Sequence, residues 1–75
     1  MERDDYAYKV LEVSAQMADG YRRNITSFST DAEKDASEKC ATAASNTGYF
    51  ICAALGLSHE EIVAMNNVLK HAGKI

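Results

Sequence analysis

The sequence contains no proline. Nothing along its 75 residues forbids an unbroken run of intrahelical hydrogen bonds, and the many alanines and scarce β-branched runs favour helix further. It also lacks any apolar stretch near the roughly 20 residues that a membrane-spanning helix needs. The start, Met1-Glu2-Arg3-Asp4-Asp5, is too acidic and polar for a secretory signal, so the expected location is cytoplasmic and no membrane partner is expected. A basic excess is missing too. The net charge is −3 and the pI about 5.2, which disfavours nucleic acid and anionic membrane unless a local basic patch offsets the mean field.

Motifs that carry chemistry are equally scarce. No G-x-x-x-x-G-K-[ST], G-x-G-x-x-G or G-x-S-x-G pattern occurs, which removes the usual sequence grounds for nucleotide or acyl chemistry. His59-Glu60-Glu61-Ile62-Val63 begins like a zinc-protease motif but has valine where the second histidine belongs. Cys40 with Cys52 and His59 with His71 are each too far apart for the close ligand pairs of a zinc site. Within one helix the two cysteines stand roughly 18 Å apart, beyond the Cα limit of about 7 Å for a disulfide. Both therefore read as free, buried thiols in a reducing compartment. Asn24-Ile25-Thr26 matches a glycosylation acceptor, a chance match without a secretory signal. No enzyme activity, catalytic residue, metal or cofactor is expected.

What is present is helical periodicity. Tyr6, Val10, Val13, Met17 and Tyr21 recur at spacings of four and three, widened by Leu11 and Ala18, and predict a first helix from about Arg3 to Asn24 with one apolar face. Thr30-Asp31-Ala32-Glu33 is a capping box that opens a second helix reaching about Leu55. Its lane of small side chains, Ala32, Ala36, Cys40, Ala43 and Thr47, receives either the first helix of the same chain or the equivalent helix of a second copy. Ser45-Asn46-Thr47-Gly48 is poor helix sequence, and a kink or a restart of the helix is expected there. Gly56 closes the segment, and Ser58-His59-Glu60-Glu61 caps a third helix to about His71 with Ile62, Met65, Leu69 and Ala72 as its core face. The expected fold is all-α: an antiparallel hairpin of two long helices plus a shorter C-terminal helix, one domain over residues 1–75.

A domain of this size hides only about 60% of its unfolded surface. Alanine supplies 12 of the hydrophobic residues, so the core is thin. Pairing through an apolar stripe is a common remedy, and a homodimer is expected.

The segment from Ile51 to Ile62 resembles the helix-turn-helix of bacterial and phage repressors over residues 48–65. Cys52 takes the small inner position four before the turn glycine, Gly56. Leu57 follows, Ser58 caps the second helix, Ile62 locks it six positions after the glycine, and Met65 is the next core contact. The resemblance implies DNA binding by the helix after Ser58. Cysteine departs from the usual alanine, and Glu60 and Glu61 stand where phosphates and base edges would approach. Tyr21-Arg22-Arg23 is the one compact aromatic and basic cluster, suited to an anionic ligand or to closing a helix dipole.

Three functional expectations follow. The first is a non-enzymatic interaction module of regulator or inhibitor type that binds a protein partner and self-associates through the stripe containing Tyr6, Val10, Val13, Met17 and Tyr21. The second is a DNA-binding regulator, and the third a binder of a small anionic ligand at Tyr21, Arg22 and Arg23.

Overall fold

Three capped segments give three helices in the computed structural model, which describes residues 2–75; Met1 of the acidic opening lies outside the described residues. They are α1 (Arg3–Arg23), α2 (Asp31–Ala54) and α3 (His59–His71), with no strand among the described residues. The all-α hairpin with a shorter third helix is the architecture that the sequence leads one to expect.

Both capping boxes form. Thr30 Oγ1 accepts from the Glu33 N–H at 3.1 Å while the Glu33 carboxylate accepts from the Thr30 N–H at 3.1 Å. Ser58 and Glu61 repeat this at 3.2 and 3.0 Å. Four exposed N–H groups are thereby satisfied. α1 has no side-chain cap and relies on Asp4 and Asp5 in its first turn and Arg22 and Arg23 in its last to complement the dipole.

α2 ends in a Schellman turn. Leu57 N–H donates to the Cys52 carbonyl and Gly56 N–H to that of Ala53, with Gly56 at φ 93°, a conformation that glycine adopts without a Cβ penalty. Only Leu57 separates this stop from the Ser58 cap, so the chain turns sharply from α2 into α3. Between α1 and α2 the loop is held by Thr26 N–H to Ser29 Oγ (2.9 Å), and the Phe28 side chain is 94% exposed.

α1 and α2 pack antiparallel with small residues at their contact. Ala7, Leu11 and Ala18 are buried on α1 and Ala41, Gly48 and Cys52 on α2, with Ser14, Ser37 and Ala44 half-buried between them. Cys52 Sγ lies 3.8 Å from the Ala7 carbonyl, Ser14 lies against Gly48, and Arg22 meets Glu38 at 3.4 Å. α3 folds back over one end, where Leu57, Ile62, Met65 and Leu69 join Ala7, Leu11 and Cys52 in one core that Tyr8, Val10, Tyr49 and Leu55 flank.

Several expectations are corrected by this packing. Of the two ways the apolar face of α1 could be used, as core within the chain or as a surface for a second copy, the packing leaves Tyr6, Val13, Met17 and Tyr21 out of the α1–α2 contact; they are exposed, because the close approach at Gly48 leaves room only for the Ala7, Leu11 and Ala18 side of the helix. The inner lane of α2 is likewise the Ala41, Gly48, Cys52 lane, which leaves Ala32, Ala36, Cys40, Ala43 and Thr47 exposed. Cys40 is thus an exposed thiol and Cys52 alone is buried. α2 runs without a break through residues 45–48, since burial of Gly48 against Ser14 outweighs its poor helix propensity. Ala72, expected in the core face of α3, is exposed beyond the helix end.

Candidate interaction face

The two displaced lanes fall on the same side of the hairpin. Tyr6, Lys9, Val10, Val13, Ser14 and Met17 from α1 and Ala44, Thr47 and Ile51 from α2 line an open groove of about 370 Å³. The groove is a consequence of the tight α1–α2 contact: large side chains excluded from it stand along its edge as a ridge. Met17, at the middle of the ridge, is 53% exposed and Tyr6 49%. Tyr21 extends the ridge into a shallow hollow with Gly20 and Asn24.

On the α2 side the lane is uncharged and apolar. The Thr47 hydroxyl donates to the Ala43 carbonyl at 2.8 Å, so it asks nothing of a partner. Phe50 and Ile51 continue the exposed apolar surface toward the α2 terminus. Ala44, Phe50 and Ile51 were not singled out by helical periodicity. A signal for them is present in the sequence nonetheless: from Cys40 to His59 there is no Asp, Glu, Lys or Arg, although much of that stretch is exposed.

The helix-turn-helix-like residues lie together at the α2–α3 corner. Cys52, Leu57, Ile62 and Met65 are buried, Gly56 makes the turn and Ser58 the cap. The electrostatics of that corner are acidic. Glu61 sits 3.6 Å from Arg3, and its carboxyl is held below the usual carboxylate range by the Ser58 N–H, then the Ser58 hydroxyl, with a smaller contribution from Arg3. His59 Nδ1 is 3.0 Å from the Tyr49 hydroxyl, so one ring nitrogen is already engaged. Two carboxylates at the start of α3 oppose the approach of phosphate.

Tyr21, Arg22 and Arg23 do not converge on one cavity. Tyr21 borders the hollow at the ridge, whereas Arg22 and Arg23 line a separate cleft of about 680 Å³ with Asp19, Lys70 and Lys74. Both guanidinium groups there are engaged, Arg22 with Glu38 at 3.4 Å and Arg23 with Asp19 at 2.9 Å. Two helix C-termini meet at this cleft, and their dipoles account for cations gathering there.

Among the described residues no group of three or more His, Cys, Asp or Glu side chains is placed to hold a metal ion. Burial pushes the Cys52 thiol above its ordinary pKa, which lowers its reactivity. No helix among the described residues is long and apolar enough to cross a membrane. Comparison with protein-family models, with curated proteins and with solved structures finds no match to this chain.

Proposed function

We propose that this chain is a small non-enzymatic interaction module that binds another protein chain through the α1–α2 face and acts as a regulator or inhibitor of that partner's activity. The observation that carries the reading is the continuous exposed apolar face formed by the Tyr6, Val13, Met17 and Tyr21 ridge beside the uncharged α2 lane. Contiguous apolar surface on a small domain marks a binding surface, because leaving it in water forfeits burial energy that association recovers. Aromatic and methionine side chains are also the types enriched in interface centres, and charge is depleted there. The unpaired Cys40 and Cys52 fit a reducing, cytoplasmic setting for that activity.

The test is a photo-crosslinking benzophenone amino acid in place of Val13, irradiated in native lysate. The reading expects a defined protein adduct that disappears when Met17→Asp is added, with helicity unchanged because both positions are exposed. Absence of any protein adduct would refute it.

A further inference from the structure

We propose that the α1–α2 face is occupied by a second copy of this chain, the two hairpins stacking face to face about a two-fold axis parallel to the helices, with α1 of each copy on α2 of the other. This rests on the interaction-module reading and names the chain that covers its face.

Surface area argues for a partner of this size. The chain exposes 5139 Å², whereas a compact monomer of 8.2 kDa exposes about 4,500 Å². The excess of roughly 600 Å² approaches the roughly 800 Å² that each partner contributes to a standard interface. The radius of gyration agrees, at 13.7 Å against about 11 Å for a compact chain of this length. Elongation and excess surface are both removed when a second hairpin lies along the first.

Shape argues that the partner is this chain. A ridge of large side chains and a lane of small ones lie side by side on one face, and a two-fold axis brings the ridge of each copy onto the lane of the other. Such an isologous contact needs one self-complementary patch and no second protein. Register supports the fit. Within one chain Ala7 lies level with Cys52, Ser14 with Gly48 and Arg22 with Glu38. An axis parallel to the helices preserves those levels, so Tyr21, Met17 and Val13 of one copy stand opposite Cys40, Ala43 and Thr47 of the other. Tyr6 likewise faces Ala54. Large residues meet small ones at the Tyr21, Met17 and Tyr6 levels, which is the condition for ridges to enter grooves, and at the fourth Val13 meets the near-isosteric Thr47.

Topology and charge agree with the same arrangement. Each α1 then has two antiparallel neighbours, α2 of its own chain and α2 of the second copy, as in an up-and-down four-helix bundle. The covered α2 surface belongs to the charge-free stretch from Cys40 to His59, so no carboxylate or ammonium of that stretch is desolvated. Lys9 stands at the groove edge, where its long stem reaches water.

The native Cys40 provides the test. In a Tyr21→Cys variant the new thiol of each copy faces Cys40 of the other, and mild oxidation should give a disulfide-linked dimer on a non-reducing gel, at a yield well above that of the parent and of a Gln16→Cys control. Unchanged circular dichroism verifies that the variant folds, as expected for an exposed position. A chain that keeps the mass of one copy in sedimentation equilibrium, while the Val13 photo-crosslink still captures a different protein, overturns the second copy and leaves the interaction module standing; mass is the deciding readout because a disulfide to Cys40 of the same chain, level with position 21, would also run as a monomer on the gel. Monomer together with no photo-adduct overturns both. A dimer that links in a Val10→Cys, Met17→Cys, Cys40→Ser variant, while the Tyr21→Cys variant fails to link through Cys40, overturns the arrangement, because it places ridge on ridge.

Discussion

Replacing Gly48 by alanine sets two opposed effects against each other at the closest α1–α2 approach. Helix propensity alone favours alanine by about 1 kcal/mol. The added Cβ, however, would lie 2.5 Å from Ser14 Cβ and nearer still to its Oγ. The hydroxyl can rotate away, but the Ser14 Cβ is fixed to the α1 backbone. The helices must therefore part by about 1 Å to restore ordinary contact, loosening Ala7 and Cys52 on one side and Ala18 and Ala41 on the other. Overpacking of this kind costs about 1–3 kcal/mol. Because both helices are continuous here and neither can yield locally, the upper half of that range applies, and a net loss of about 1–2 kcal/mol remains. At roughly 4–8 °C per kcal/mol for a domain this small, the melting temperature should fall by about 5–15 °C. Thermal unfolding followed by circular dichroism measures it, with parent and variant at one protein concentration, since self-association makes melting concentration-dependent. In the Gly48→Ala, Ser14→Gly double variant the Cβ at the contact moves from α1 to α2, the clashing Ser14 side chain is gone, and most of the loss should be recovered. A Gly48→Ala variant that melts higher than the parent would refute the close approach and, with it, the reason why the ridge is excluded from the core.

Two further predictions concern groups that the fold treats unequally. At concentrations where the chain is a single copy, a thiol-reactive probe should modify Cys40 rapidly and Cys52 only on unfolding, because Cys52 is buried and its thiol is pushed up by desolvation; mass mapping that finds equal rates under those conditions would contradict the core assignment. Glu33 and Glu61 have carboxyls lowered by the Thr30 and Ser58 caps, so their stabilisation is full above the ordinary carboxylate range and is lost as pH falls through the lowered folded values. A Glu33→Gln, Glu61→Gln variant keeps an acceptor for each cap but does not titrate, and its melting temperature should fall less between neutral and acidic pH; an unchanged acid dependence would show that these caps do not contribute to it.

The helix boundaries were legible in the sequence because they are set locally. Thr30 with Glu33, Ser58 with Glu61 and Gly56 at the turn act within four residues of themselves, and each produces the start or stop that its chemistry requires. The rotation of α1 was not legible. Its apolar sector spans both the Ala7, Leu11, Ala18 lane and the Tyr6, Val13, Met17 lane, and periodicity cannot say which half meets α2. That choice is made by Gly48, a tertiary contact whose effect depends on Ser14 lying 34 positions earlier in the chain. The same contact explains why residues 45–48 stay helical despite their propensities. The candidate site was half visible: periodicity finds the ridge, whereas Ala44, Phe50 and Ile51 enter it only because α2 lies beside α1. The helix-turn-helix-like signature is accounted for by a Schellman turn followed at once by a serine cap, chemistry that a sharp corner needs whatever it binds.

The most direct test of the central claim is the mass in solution by sedimentation equilibrium over a concentration series, for the parent chain and for Met17→Asp. A two-chain mass is expected for the parent at the higher concentrations. For Met17→Asp, which sets a carboxylate in the middle of the ridge, the dissociation constant should rise by about 100-fold or more with helicity unchanged. A parent chain that remains at 8.2 kDa throughout the series, or a variant that pairs as tightly as the parent, would contradict the account.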